Sequence, residues 1–325
     1  MAGNRSRGTW GPSVLDHIGN TPLVPLRRIA EGLRVPVLVK CEHMNPGGSV
    51  KDRIARAIVE DGERRGVLHP GMTLVEATAG NTGVGLALVA AVRGYQLVCV
   101  MPEKMSLDKR RALRSLGATV IITPNVPLDD PQNFRATAQR LATENGWFLT
   151  EQFSNPINIE IHRMTTGAEI LEQTGGQVGA FVAGAGTGGT LTGVGRCLKA
   201  ASPGTRIILA DPKGSALADW VETGKPGENG SYAVEGIGSS QPPANLDPSI
   251  LDGAERITDI ESFEMTRRLV QEEGLLVGGS AGTNVAAALR IAARADVTGP
   301  VVTLLPDGWD RYRTQPWMME WAGED

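Results

Sequence analysis

The sequence predicts an α/β protein of two open, mostly parallel sheets with helices on both faces. Three observations carry this. Short β-rich runs alternate with helical stretches, the pattern of parallel strands joined by crossover helices. The 325 residues exceed what one hydrophobic core usually serves, so two domains are expected. The 41 glycines gather where apolar runs end, and such strand-to-helix turns are where open α/β sheets hold ligands.

The elements follow in order. A helix leaves the glycine-rich turn at residues 45–53 and runs to about Arg65. Residues 73–78 read as a strand and 81–93 as an Ala/Leu/Val-rich helix. A strand at 96–101, a charged amphipathic helix at 106–116, a strand at 119–123, a helix at 131–145 and a short strand at 147–150 complete the first series. The division falls near Asn155 and Pro156. In the second series, 159–172 is helical, 179–184 a strand, 190–199 a helix and 206–211 a strand. The polar stretch 214–231 contains four glycines and reads as a loop. A helix at 263–273, a strand at 275–277, a helix at 284–295 and a strand at 300–305 follow. The two ends, 1–11 and 322–325, are expected to be loose.

Composition narrows the class. Net charge is −4 with mixed signs, and no basic run or basic-aromatic patch suggests nucleic acid. The longest apolar stretch, 84–92, is about half of what a membrane-spanning helix needs. No apolar leader segment is read in the first twenty residues, so a cytoplasmic protein is expected. Cys41, Cys99 and Cys197 form no C-x-x-C pair. His17, His43, His69 and His162 are scattered, so no metal site is expected.

Four strand-to-helix turns carry the chemistry. Asn45-Pro46-Gly47-Gly48-Ser49-Val50-Lys51 puts a lysine at a helix mouth. The helix dipole and partial burial there favour the neutral amine, which can form an imine with an aldehyde. Glu76-Ala77-Thr78-Ala79-Gly80-Asn81-Thr82-Gly83 offers backbone N–H groups, hydroxyls and an amide to a carboxylate-sized anion. Gly184-Ala185-Gly186-Thr187-Gly188-Gly189-Thr190 can close backbone amides on a phosphate. Gly278-Gly279-Ser280-Ala281-Gly282 presents a hydroxyl able to face a ring nitrogen. Gly184, Gly186 and Gly189 also satisfy G-x-G-x-x-G, with Asp211 ending the next strand, so a nicotinamide oxidoreductase competes on this turn alone. Pyridoxal phosphate with an amino-acid substrate uses all four turns. A nicotinamide would leave Lys51 and two of the turns without a role.

The ordered set N-P-G-G-S-V-K-D-R, T-A-G-N-T-G, G-T-G-G-T and G-G-S-A-G resembles the cystathionine β-synthase and cysteine synthase family of fold-type II pyridoxal-phosphate enzymes. The resemblance runs from Ile18-Gly19-Asn20-Thr21-Pro22-Leu23 to Pro306-Asp307. Val92-Arg93-Gly94-Tyr95 and Glu235-Gly236-Ile237-Gly238 lean toward the catalytic core of the cystathionine β-synthase branch. It implies a tryptophan-synthase-β-like fold with a smaller mobile domain at 46–155 and a larger one from 12–45 plus 156–325. It implies that Lys51 carries the cofactor as an imine and shuttles the α-proton. Asn81 would bond the ring hydroxyl. Gly186, Thr187, Gly188, Gly189 and Thr190 would hold the phosphate, and Ser280 would face the pyridine nitrogen. Thr78, Ala79, Gly80, Thr82, Gln152 and Gly236 would line the substrate. The implied reaction is β-replacement on L-serine or an O-activated serine through an aminoacrylate, with a thiol such as homocysteine as nucleophile. Sulfide on O-acetyl- or O-phosphoserine, or a nitrogen nucleophile, stays open. A homodimer handling small amino acids is implied. Two positions depart from the family: Ala79 stands where serine is usual, and Ser239-Ser240-Gln241-Pro242-Pro243 replaces an aromatic and apolar stretch.

Overall fold

The computed structural model describes residues 12–78, 80–127 and 129–322. In chain order they form β1 (Leu23–Pro25), β2 (Val37–Lys40), α1 (Lys51–Arg64), β3 (Thr73–Ala77), α2 (Asn81–Arg93), β4 (Gln96–Pro102), α3 (Leu107–Ser115), β5 (Thr119–Thr123), α4 (Phe134–Asn145) and β6 (Phe148–Leu149). Then come α5 (Ile157–Ile161), a π-helical turn (His162–Gly167), α6 (Ala168–Gln173), β7 (Ala180–Ala183), α7 (Gly189–Ala201), β8 (Arg206–Pro212), α8 (Leu217–Thr223), β9 (Gly253–Ile257), α9 (Asp259–Glu273), α10 (Gly279–Ala292), β10 (Val301–Leu304) and α11 (Pro316–Ala322).

Two sheets result. One has the order β5-β4-β3-β6 and is wholly parallel. The other runs β1-β2-β10-β7-β8-β9 and is parallel except for the β1–β2 pair. Both are covered on two faces, as parallel sheets require. On the smaller sheet, Leu74, Leu97 and Cys99 pack toward α1 and α2, while Val75, Val98 and Val100 face α4. The period-2 alternation of these side chains produces the two faces. On the larger sheet α9 and α10 cover one face and α7 the other.

The first series stands where the residue pattern put it, and α2 and β5 match residue for residue. Four corrections concern the rest. The stretch expected as a loop at 214–231 contains α8, because Leu217 and Ala218 bury against the larger sheet while Gly224 caps the helix in the left-handed region. The expected strand at 275–277 makes only one isolated bridge, Val277 to Gly308. The expected helix at 159–172 is broken by the π-helical turn at His162–Gly167. The last long helix begins at Gly279, five residues earlier than expected, which moves Ser280 from a loop into its first turn. β1, β2 and β9 carried no prediction; β1 is three residues long, too short for a periodicity to register.

Buried charge fixes the start of α1. Arg53 donates to both Glu42 oxygens at 2.8 Å and to both Glu169 oxygens at 2.6 and 2.8 Å. Lys40, fully buried, also meets Glu169 at 2.7 Å. Neighbouring Arg53 holds Glu42 down at about 2 despite its burial. Removing one partner of such a network typically costs ~3–5 kcal/mol, because the others are left charged and buried. The network clamps α1 two residues beyond Lys51.

Candidate active site

The carboxyl ends of the strands in both sheets meet the glycine-rich turns. Lys51 is the first residue of α1 and half-buried. Burial pushes its amine below the ordinary lysine value; the carboxylates of Asp307 and Glu42 pull it part of the way back. The backbone beside it is tied to the end of β10, since Val50 N–H donates to the Pro306 carbonyl at 2.8 Å. Asp307 therefore sits against Lys51. Its Oδ2 accepts from Asn81 Nδ2 and from Tyr312 Oη, both at 2.7 Å, while its Oδ1 is buried without a hydrogen-bond partner. Asn81 Oδ1 accepts from Arg311 at 2.7 Å, so this side chain is held at both ends and keeps one N–H free. Arg311 also donates to the Gly47 carbonyl, joining the lysine turn to the Asn81 turn.

The turn from β7 to α7 is built for close backbone approach. A Cβ on Gly186 would lie 2.3 Å from the Gly236 carbonyl oxygen, and one on Gly189 would lie 2.1 Å from Asn158 Oδ1. Gly188 has φ +85°, a conformation L side chains rarely adopt. Asn284 Oδ1 accepts from Gly184 N–H at 2.7 Å. Asn158 donates to Thr187 Oγ1 at 3.0 Å and to the Gln152 carbonyl at 2.8 Å. Thr190 Oγ1 contacts His162 Nε2 at 3.1 Å, and His162 Nδ1 contacts Thr166 Oγ1 at 2.9 Å. Burial lowers His162 to about 3, with Arg53 and Lys51 adding to the effect, so the ring is neutral at physiological pH. The residue that bonds Thr190 thus also feels the charge of Lys51. Thr187 and Thr190 flank the N-terminus of thirteen-residue α7, a position whose free N–H groups suit a phosphate.

The remaining residues close the site. Thr82 Oγ1 donates to Gln152 Oε1 at 2.5 Å. Gln152 donates to the Glu76 carboxylate from its backbone N–H at 3.2 Å and from Nε2 at 3.4 Å. Thr78 is buried and its hydroxyl accepts from Gly80 N–H at 3.3 Å. Ala79 lies outside the described residues. Ser280 is buried in the first turn of α10. Gly236, exposed and at φ +84°, lies over Gly186. Asp211, the acid of the competing nicotinamide reading, is fully buried and spends Oδ2 on Ala218 N–H at 2.8 Å, at the start of α8. It is not offered to a ribose.

Residue-pattern reasoning missed Asp307, Glu76, Asn158, His162 and Arg311. Glu76 opens the second glycine-rich turn and was given no role there, and Asp307 borders the end of the resemblance; Asn158, His162 and Arg311 lie outside every motif and reach the site from elsewhere in the chain. Among the described residues no helix is long and apolar enough to cross a membrane, and no cluster of His, Cys, Asp or Glu could hold a metal.

Glu76 gives a first prediction. Burial pushes its carboxyl up to about 7, against an ordinary value of 4.5. The folded state thus binds a proton that the unfolded chain has released, so stability falls as pH rises from about 4.5 to 7. Glu76→Gln is expected to remove that slope and to stabilise the protein at pH 8 by up to roughly 3 kcal/mol. Urea melts at pH 4.5 and 8 measure it; an unchanged slope would rule the assignment out.

A lysine amine near a phosphate-sized turn, a carboxylate-sized turn and a buried hydroxyl is a set of groups that fits pyridoxal phosphate. Near the amine, the buried Asp307 Oδ1 has no hydrogen-bond partner among the described residues, a polar group left for a ligand to satisfy, and this is the structural test of that fit; at Gly186 and Gly189 the missing Cβ lets the turn pack on the Gly236 carbonyl and Asn158. Similarity to known proteins agrees. A family model described as "Pyridoxal-phosphate dependent enzyme" matches residues 14–307. Cystathionine β-synthase of Oryctolagus cuniculus is 45% identical over 318 residues, 95% of this chain and 57% of that protein. The Apis mellifera protein of the same name is 44% identical, covering 94% of this chain and 61% of its own length. The chain thus spans a little over half of these relatives. The crystal structure of an O-ureido-L-serine synthase superposes with a TM-score of 0.88 at 39% identity, covering 98% of this chain and 97% of that one. With the match covering residues 14–307, the chain belongs to the pyridoxal-phosphate dependent enzymes.

Proposed function

We propose that this protein catalyses β-replacement on L-serine or an O-activated L-serine, with a thiol as the entering group. The reading closest to its cystathionine β-synthase relatives is serine plus homocysteine. The observation that carries the proposal is the depressed Lys51 amine at the mouth of α1, whose turn is tied to the end of β10 by Val50 and to the Asn81 turn through Arg311 and Asp307. A neutral amine can hold the cofactor's aldehyde carbon covalently, then take the substrate's α-proton and return it. When bound, the cofactor draws off the electrons released at that carbon. Gly186, Thr187, Gly188, Gly189 and Thr190 would hold the phosphate. Ser280 would meet the pyridine nitrogen, and as a neutral hydroxyl it would not force a proton onto the ring. Thr78, Gly80, Thr82 and Gln152 would bind the substrate carboxylate, with Glu76 orienting Gln152 and Gly236 flanking the reacting end.

In this reading residues 46–155 form the moving domain, and 12–45 with 156–325 the fixed one. Contact of Lys109, in α3, with Glu235 beside Gly236 is where the two would lock, with Gln315 donating to Glu235 at 3.1 Å. The protein would work as a cytoplasmic homodimer on small amino acids, without nucleic acid or membrane. A second reading keeps the donor chemistry but takes sulfide or a non-thiol nucleophile, as the likeness to O-ureido-L-serine synthase favours.

The deciding experiment adds L-serine, O-acetyl-L-serine and O-phospho-L-serine in turn to the cofactor-loaded protein and follows its visible spectrum. A band that shifts with serine alone supports the first reading; a shift only with an activated serine moves the assignment to the second. No visible band after pyridoxal phosphate is supplied would overturn the role of Lys51.

A further inference from the structure

A cavity of about 310 Å³ lies beside the site, between α4 and the strap at residues 239–244. It shares a wall with the candidate active site. Glu76 and Ala77 lead directly into the Thr78 turn. Glu151 and Phe153 flank Gln152 and line the cavity. Ser239, also on its wall, follows Gly238, whose N–H donates to Ala185 of the glycine turn at 2.9 Å. The strap is anchored at its far end by Asn245, which donates to the Gln152 carbonyl at 3.0 Å.

The walls are mainly apolar, from Ala77, Ala138, Leu149, Pro242 and Pro243. The cavity's one cation is Arg135, on the first turn of α4. Its guanidinium lies over Phe153, with Cζ 3.9 Å from the ring centroid, a contact that uses none of its N–H donors. No carboxylate is within salt-bridge distance of Arg135 among the described residues, and Glu76, with its carboxyl pushed up to about 7, is already engaged by Thr150 and Gln152. Glu151 adds one carboxylate to the rim. It is held there by a backbone at φ +52°, a strained region for a residue other than glycine. An apolar slot with one stacked, unpaired guanidinium, and with the Glu151 carboxylate beside the already engaged Glu76, matches a short-chain zwitterion better than it matches hydrogen sulfide.

We propose that this cavity seats the entering nucleophile, and that Arg135 selects one bearing a carboxylate, with Glu151 facing its ammonium. The proposal rests on the β-replacement reading for its catalytic meaning, but the binding event can be tested without turnover. Binding to the cofactor-loaded enzyme is measured by calorimetry with 4-(methylthio)butanoate and with 4-(methylthio)butan-1-ol. Neither has an amine to react with the cofactor or a thiol to attack. The carboxylate should bind about ten- to a hundred-fold tighter than the alcohol, the range for a charge-assisted bidentate hydrogen bond. Arg135→Gln should erase that preference while leaving the spectral response to serine unchanged. Arg135 is exposed and bears no core packing, so the variant should fold. Equal binding of acid and alcohol by the unaltered enzyme, no binding of either, or a preference that survives Arg135→Gln overturns the proposal. Turnover then separates the two claims. The ratio of kcat/KM for homocysteine to that for sulfide should fall at least about ten-fold in Arg135→Gln. Absence of turnover with any thiol, alongside the calorimetric preference, would sink the thiol reading and leave the carboxylate site standing.

Discussion

Lys51→Ala is expected to lose the visible absorbance of lysine-bound cofactor and at least about a thousand-fold in turnover. Two functions reside in one amine. The first is covalent attachment, which needs a neutral nucleophile; the second is proton transfer at the α-carbon, which typically contributes ~10²–10⁴-fold. Burial supplies the neutral form by lowering the amine's proton affinity, and the clamp of Arg53 on Glu42 and Glu169 holds the helix start in place. Alanine at this helix position is favourable for the backbone, so the variant should keep its far-ultraviolet spectrum and melt no earlier. Lys51→Arg should not rescue, since a guanidinium stays charged. A coloured, fully active Lys51→Ala protein would remove the basis of the proposed chemistry.

The second large effect is expected from Gly186→Ala. The added carbon would lie 2.3 Å from the Gly236 carbonyl oxygen, a backbone atom that cannot swing aside as a side chain would. Either the glycine turn or the 236–238 segment must retreat. Overpacking of this kind costs ~1–3 kcal/mol, and the strain falls on the surface proposed to hold the phosphate. The affinity for pyridoxal phosphate should therefore drop by about 5- to 150-fold, measured by equilibrium dialysis against the apoprotein. Gly204→Ala is the control, because a Cβ there meets nothing within 4 Å. If Gly186→Ala binds the cofactor as well as Gly204→Ala does, the turn is not the cradle.

How far the site could be read from residues follows from how locally each part is determined. The four turns were legible because each is contiguous: a glycine needed for close approach, a hydroxyl and a helix N-terminus lie within a few residues. Lys51, Asn81, Thr187 and Ser280 were singled out that way. Asp307, which fixes Asn81 and sits near the lysine, and Tyr312, which bonds Asp307, were not assigned roles, because their meaning depends on β10 lying beside the start of α1. Arg135 was invisible for the same reason; on α4 it reads as one more charged helix residue until Phe153 is placed beneath it. The missed α8 shows the converse. Its glycine-rich surroundings read as a loop, and only the larger sheet supplies the apolar surface that makes Leu217 and Ala218 helical core.

The sequence by itself determined the two-series α/β architecture, the order of the strand–helix units, the glycine turns and the lysine that points to pyridoxal phosphate. All of these are set by local periodicity and by backbone needs that glycine alone can meet. The tertiary structure decided what faces what. It turned Asp211 away from any ribose and onto α8, neutralised His162 and brought it to Thr190, lowered Lys51 by burial, and opened beside Gln152 a cavity with one free guanidinium. These depend on contacts between residues far apart in the chain, where burial and charge act through space.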